Sequence, residues 1–141
     1  MKILIAVDGS PGSLAALDAL LARRGWFAAQ PEYALVYVHP KIPFKRAAAW
    51  AGKEAVASYY EEETQAALAP AIERLGRNGD PHVTFKRVGD PAEEIVAQAG
   101  EWGADLLVLG THGYSSVATM LLGSVAQSAL ALAPLPVLLL R

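Results

Sequence analysis

Three runs of this chain are apolar at every position, and they limit its fold more than any other feature. They cover residues 3–7, 106–109 and 137–140. A strand with one solvated face alternates apolar and polar side chains, whereas a strand that is buried on both faces is apolar throughout. Strands of the second kind form parallel sheets that helices cover on both faces. The runs therefore predict an α/β fold.

Two segments of mixed polarity predict further strands. They are residues 33–39 and 82–88. In the second segment, Val83 and Phe85 alternate with polar residues, as in a half-exposed strand. We therefore expect residues 82–88 to lie at one edge of the sheet.

Helices are expected between the strands. Ser10 and Asp90 are suited to cap helices, because each precedes a proline that fits the first helical turn. A longer helix is expected over residues 53–75, and a last helix should run from Ser124 to a point before Pro134.

This alternation of strand and helix predicts one domain over residues 1–141, with a doubly wound, five-stranded parallel sheet. Right-handed crossovers give the strand order 3-2-1-4-5, with helices on both faces. Strands one and four then lie side by side where the winding reverses. Ligands of open α/β sheets bind in the crevice at the carboxyl ends of such strands. We expect Asp8-Gly9-Ser10 and Gly110 to line that crevice.

Composition excludes several classes of function. The chain has 141 residues, no cysteine and a formal net charge of -2. It therefore has no thiolate nucleophile, and it lacks the positive field with which proteins bind nucleic acid. Its apolar segments are too short for a signal peptide or a membrane span, and we expect neither. The composition is compatible with the reducing cytoplasm.

A segment rich in glycine runs from Gly110 to Ser124. It reads Gly-x2-Gly-x9-Gly-Ser and lies between an apolar strand and a helix. Gly110 and Gly113 can take positive φ and let the backbone approach an anion closely. Gly123 and Ser124 stand where unpaired N–H groups begin a helix, and such groups bind anions. The alternative is an ordinary turn followed by a helix cap, and the Gly-Lys-Ser/Thr triplet of a P-loop is absent from the sequence.

Several polar side chains allow more than one interpretation. Asp8 directly follows an apolar strand, so its carboxylate can accept ribose hydroxyls or can cap the first helix together with Ser10. For His112 we favour phosphate contact over acid–base catalysis, and an exposed loop histidine is the alternative. His39 ends a strand, and we expect a polar partner for it in the crevice wall. The three histidines are too dispersed to predict a metal site.

Two other segments carry weaker signals. Residues 41–53 hold basic and aromatic side chains near the expected crevice, so they form either a lid over a nucleotide or a plain connection. Ser115, Ser116 and Thr119 are candidate acceptors for phosphorylation, but polar residues are the default in any loop.

Over its whole length the chain resembles the universal stress protein family. The resemblance includes Asp8-Gly9-Ser10, His39, Gly89-Asp90-Pro91, the glycine pattern and Pro134-Leu135-Pro136. It implies that the chain binds ATP, or AMP or ADP, with Mg²⁺ held mainly by the phosphates and water. It also implies that Asp8 holds the ribose while the glycine segment holds the phosphates. The nucleotide-binding residues expected on this basis are Asp8, Gly9, Ser10, Pro40, Gly110, Thr111, His112, Gly113, Gly123, Ser124, Val125 and Ala126.

Pro40 is a departure from the family pattern. The family usually has a non-proline residue after the histidine of strand two, and the backbone of that residue reads the edge of the adenine. Proline has no N–H, so the carbonyl of Pro40 can accept from the adenine amino group but one donor is lost. The glycine segment also has no lysine or arginine. We therefore expect weaker binding than the glycine pattern alone indicates.

The resemblance implies a homodimeric sensor or regulator of a stress response. Dimerisation is expected through Val137, Leu138, Leu139 and Leu140, because this apolar strand lies at a sheet edge and an exposed edge of that kind invites aggregation. A helix of the same chain could cover the strand instead. Two other functions compete with nucleotide sensing: a slow ATPase or phosphotransfer enzyme, and a dimeric interaction module with an empty site.

Overall fold

The computed structural model describes residues 1–41, 44–113 and 122–141, with the backbone alone over residues 44–51. Within these residues five parallel strands form one sheet in the order β3-β2-β1-β4-β5. The predicted fold class and strand order are confirmed. The strands are β1 (Lys2–Ala6), β2 (Glu32–His39), β3 (His82–Val88), β4 (Leu106–Gly110) and β5 (Val137–Leu140).

In the part of the chain that the structure describes, four helices connect the strands, together with one short 3-10 turn at Arg24–Trp26 that the sequence analysis did not predict. In the described residues α1 and α2 pack on one face of the sheet, and α3 and α4 lie on the other. The helices are α1 (Pro11–Leu21), α2 (Phe44–Arg77), α3 (Pro91–Trp102) and α4 (Ser124–Leu132).

The central strand β1 is buried on both faces, as its apolar sequence predicts. Alternate side chains of a strand point to opposite faces. Ile3 and Ile5 therefore pack against α1 and α2, whereas Leu4 packs in the core beneath α3 and α4. All three side chains are at most 1% exposed. This burial on both faces fits the central position of β1, which pairs with β2 on one side and β4 on the other.

Two of the predicted helix starts show the expected caps. The Ser10 hydroxyl accepts from the N–H of Ser13 at 3.2 Å and begins α1. The Asp90 carboxylate accepts from the N–H groups of Ala92 and Glu93 and begins α3. Each side chain satisfies backbone donors that have no partner inside the helix.

The long helix α2 differs from its prediction, because it begins at Phe44 and not near residue 53. Gly52 interrupts it with φ 80° and ψ 160°, so α2 consists of two helical segments joined at this residue. The backbone of residues 44–51 is thus helical and not a plain loop. The interpretation of residues 41–53 as a lid concerns side chains that lie largely outside the described residues.

Candidate functional site

The carboxyl ends of β1 and β4 lie side by side, as the strand order requires. Ile5 of β1 pairs with Val108 of β4. The chain leaves β1 through Asp8 and leaves β4 through residues 111–113, so both segments line the same end of the sheet. This is the crevice that the reversal of winding predicts.

Asp8 is held by the turn that leads into α1. One carboxylate oxygen, Oδ1, accepts from the N–H of Ser10 at 2.9 Å, and the N–H of Asp8 donates to Oγ of Ser13 at 3.3 Å. The turn depends on Gly9, whose φ is 78°. Both roles considered for Asp8 are compatible with this geometry, because Oδ1 supports the start of the helix while Oδ2 faces the glycine segment at Gly113.

The Asp8 carboxylate lies against Gly113. Its Oδ2 is 2.7 Å from the position that a Cβ would occupy on Gly113. Two segments about a hundred residues apart in sequence are therefore in contact at the crevice, which parallel pairing of non-consecutive strands makes possible.

The glycines that follow β4 do not have the backbone conformation expected from the sequence. Neither Gly110 nor Gly113 takes a positive φ, and the positive φ at the crevice belongs to Gly9. A Cβ on Gly110 would lie 3.0 Å from the carbonyl oxygen of Gly12. The expectation of positive φ is therefore wrong, because these glycines provide space for close packing and not an unusual backbone conformation.

The segment after β4 is anchored on two sides. The N–H of Thr111 donates to the carbonyl of Leu140 at 3.0 Å, and the carbonyl of Thr111 accepts from the N–H of Gly123 at 2.7 Å. The Thr111 hydroxyl lies 2.9 Å from Nδ1 of His112. Residues 111–113 are therefore fixed between β5 and the start of α4.

The amino end of α4 forms another side of the crevice. Gly123 is its N-cap and contributes no side chain, and the first helical hydrogen bond runs from Gln127 to the Gly123 carbonyl at 3.0 Å. Since Gly123 donates its own N–H to Thr111, the N–H groups left without a helical partner are those of Ser124, Val125 and Ala126. An unpaired group of this kind, at the positive end of a helix dipole, attracts anions.

His39 and Pro40 lie at the carboxyl end of β2. The buried His39 ring has Nδ1 2.8 Å from the carbonyl of Pro40. A carbonyl only accepts, so Nδ1 carries the hydrogen. Three tyrosine rings surround His39, and the nearest, Tyr60, has its centroid 4.4 Å away. The polar partner expected for His39 is thus the carbonyl of Pro40.

Gly12 is a residue of this site that the sequence analysis missed. A Cβ on Gly12 would lie 2.4 Å from the carbonyl oxygen of His112. The available signal was a glycine at the second position of a helix, where it is a poor helix former. Ser115, Ser116 and Thr119 lie outside the described residues.

A separate polar cluster lies at the opposite, amino end of the sheet. Asp80 is 5% exposed, pairs with Arg24 and also accepts from the amide of Gln30. These residues and Tyr33 line a cleft of about 470 Å³. The Tyr33 hydroxyl is buried and lacks hydrogen-bond geometry to any described partner. Burial raises the pKa of Tyr33, and the nearby Arg24 guanidinium offsets part of this rise.

The described residues contain no group of three or more histidine, aspartate and glutamate side chains that could hold a metal ion. In the same part of the chain, no helix is long and apolar enough to cross a membrane.

The chain is similar to known proteins over its full length. The family model described as "Universal stress protein family" matches residues 1–141. Universal stress protein MJ0531 of Methanocaldococcus jannaschii is 35% identical over 140 residues, which cover 99% of this chain and 81% of that protein.

Solved structures show the same likeness. The hypothetical protein MJ0577, also of M. jannaschii, is 26% identical with a TM-score of 0.82, over 99% of this chain and 94% of that one. A universal stress protein in complex with cAMP is 25% identical with a TM-score of 0.60, over 100% of this chain and 96% of that one. The match of the family model and of relatives over the whole length, together with the shared fold, shows that this chain belongs to the universal stress protein family.

Proposed function

We propose that the crevice binds an adenine nucleotide, either ATP or its products ADP and AMP. The observation that carries the proposal is the convergence of Asp8, residues 110–113 and the amino end of α4 at the carboxyl ends of β1 and β4. A related universal stress protein of the same fold has been solved with cAMP, which supports an adenine nucleotide as the ligand class.

The charges of the crevice orient the ligand. A phosphate beside the Asp8 carboxylate would be repelled, whereas a ribose hydroxyl can donate to its Oδ2. The phosphates are best stabilised by the N–H groups of Ser124, Val125 and Ala126 and by the neighbouring His112. The ribose therefore lies at Asp8 and the phosphates lie at the start of α4.

Residues 110–126 include no lysine or arginine. The phosphate charge must then be balanced by helix N–H groups, by His112 and by Mg²⁺, which the phosphates and water would hold. This requirement makes binding depend on the magnesium concentration.

On this basis the chain acts as a homodimeric sensor of adenine nucleotides in the cytoplasm, as a single domain. The dimer forms through β5, whose four residues are all apolar and half-buried in one chain. A parallel edge strand of this kind is protected when it pairs with a second copy about a two-fold axis.

The test is calorimetric titration of the wild type with ATP, AMP and GTP, in the presence of Mg²⁺. In Gly113→Val, the added side chain displaces the Asp8 carboxylate, because its Cβ would lie 2.7 Å from Oδ2. We expect ATP affinity to fall by about tenfold or more, the loss of one or two charge-assisted hydrogen bonds. The unfolding temperature should stay unchanged.

Gly25→Val is the matched control, because a Cβ on Gly25 would contact nothing within 4 Å and the residue lies at the amino end of the sheet. It should bind ATP like the wild type. The proposed site would be contradicted if the wild type bound none of the three nucleotides, or if Gly113→Val bound ATP as tightly as the wild type.

A further inference from the structure

Gly12 packs against the glycine segment more closely than any other residue type could. A Cβ there would lie 2.4 Å from the carbonyl oxygen of His112 and 3.2 Å from its carbonyl carbon. Both contacts are with backbone atoms, so no rotamer change relieves them. A side chain on Gly12 must therefore move residues 110–113 away from α1.

The contact is reciprocal. A Cβ on Gly110 would lie 3.0 Å from the carbonyl oxygen of Gly12 and 3.2 Å from its carbonyl carbon. Two residues without side chains thus allow the first turn of α1 and the end of β4 to touch through their backbones. Two backbones can approach this closely only where neither residue has a Cβ, which is why glycine is needed at both positions.

The same turn of α1 also positions Asp8. Ser13 follows Gly12 directly, and its hydroxyl accepts from the N–H of Asp8 at 3.3 Å. The first turn of α1 is therefore in contact with the backbone of Asp8, whose carboxylate is assigned to the ribose, and with the backbone of His112, beside the proposed phosphate site. Its distance from residues 110–113 sets the separation between the two halves of the crevice.

We propose that Gly12 is a positioning residue for nucleotide binding: it holds residues 110–113 at the distance from Asp8 that the ligand spans. The inference rests on the proposed function. Alanine is a better helix former than glycine, and Gly12 has no positive φ. Gly12→Ala therefore changes the crevice without weakening α1.

The experiment compares Gly12→Ala with Gly100→Ala, a control inside α3 where an added Cβ has nothing within 4 Å. We expect Gly12→Ala to shift the backbone amide resonances of residues 111–113 in the ligand-free protein. We also expect it to weaken ATP binding by about tenfold or more, measured at a temperature at which both proteins are folded, because overpacking against backbone atoms also lowers the unfolding temperature. Gly100→Ala should leave the resonances of residues 111–113 and the affinity unchanged.

Gly110→Ala is a second, milder variant, because its closest contact is 3.0 Å and not 2.4 Å. Its ATP affinity should lie between that of the wild type and that of Gly12→Ala. If Gly12→Ala does not fold, Gly110→Ala alone tests the positioning role. Unchanged amide resonances in the variants overturn the packing contact. Shifted resonances with undiminished ATP affinity overturn the positioning role. A wild type that binds no nucleotide overturns the proposed function, whereas the ligand-free resonances test the contact independently.

Discussion

At the scale of single residues, Pro40 limits the backbone groups that are available at the carboxyl end of β2. It has no N–H to donate, and its carbonyl already accepts from Nδ1 of His39 at 2.8 Å. A carbonyl has two lone pairs, so one acceptor site is left for the ligand. The base of a nucleotide at this position therefore meets a weak acceptor and no backbone donor.

Replacing Pro40 with valine tests this consequence. Valine restores one N–H, and we expect ATP to be favoured over GTP by about 1 kcal/mol more than in the wild type, the net contribution of one hydrogen bond. Competition calorimetry with the two nucleotides measures the difference. Pro81→Val, at an exposed proline before β3, is the control for loss of a proline. An ATP/GTP ratio that is the same in all three proteins would mean that the base is read elsewhere.

The roles of single residues were predictable from sequence when they depended on near neighbours. Ser10 and Asp90 cap helices through groups two or three residues away, so local patterns revealed them. The contact of Gly12 with His112 joins positions about a hundred residues apart. No local pattern carries that information, which is why Gly12 was missed and why Gly110 was expected to take positive φ.

At the scale of elements, β1 and β4 were predictable because burial on both faces leaves a continuous apolar run, whereas β3 was predictable from the alternation of apolar and polar residues. The start of α2 could not be predicted from sequence, since Gly52 interrupts the helical pattern and the residues before it resemble a loop. The 3-10 turn at Arg24–Trp26 was missed for a similar reason: three residues are too few to show a period.

The edge strand β5 offers a test of the proposed dimer. The carbonyls of Pro136 and Leu140 accept from β4. Backbone groups alternate in direction along a strand, so the N–H of Leu139 points away from β4. Leu139→Pro removes this outward N–H and no bond to β4, as is tolerated on edge strands. We expect the variant to be monomeric in sedimentation experiments at micromolar concentration, and we expect the wild type to be dimeric.

Leu139→Val is the control for the change in side chain, because it keeps the N–H and an apolar residue. It should remain a dimer. A monomeric wild type would contradict the dimer, and a Leu139→Pro variant that stays dimeric would exclude pairing through this backbone edge.

At the scale of the whole molecule, the two ends of the sheet differ in kind. The carboxyl end holds the candidate ligand site, whereas the amino end holds the pair Arg24–Asp80 and the buried Tyr33 hydroxyl. The amino-end groups contact one another and lie away from the crevice. We expect them to affect global stability and not ligand affinity.

The pH dependence of stability in Tyr33→Phe tests the effect of the amino-end groups on global stability. Burial raises the pKa of Tyr33 above its ordinary value of 10.0. The neutral phenol therefore contributes its full stability below pH 10, and this stability is lost as pH rises through the higher folded-state pKa. Phenylalanine does not ionise, so the variant should lose less stability above pH 10.

Urea unfolding between pH 7 and 11 measures the difference. Near pH 7 the stability of the variant should lie within about 1 kcal/mol of that of the wild type, because the Tyr33 hydroxyl lacks hydrogen-bond geometry to any described residue. Tyr59→Phe is the control, at a tyrosine that is 46% exposed. If the stability of Tyr33→Phe and that of the wild type depended on pH in the same way, this would contradict a pKa of Tyr33 raised by burial.

The pairing of β1 with β4 also sets an order of events during synthesis. A ribosome makes about 5–20 residues per second, so roughly 5–20 s pass between the emergence of Asp8 and that of residues 110–126. Throughout that interval one apolar edge of β1 has no partner and is a site for aggregation. A nucleotide cannot assist at the proposed site, since residues 110–126 have not yet been made. A ligand of the proposed site would therefore stabilise only the finished fold and not the first hundred residues of the nascent chain.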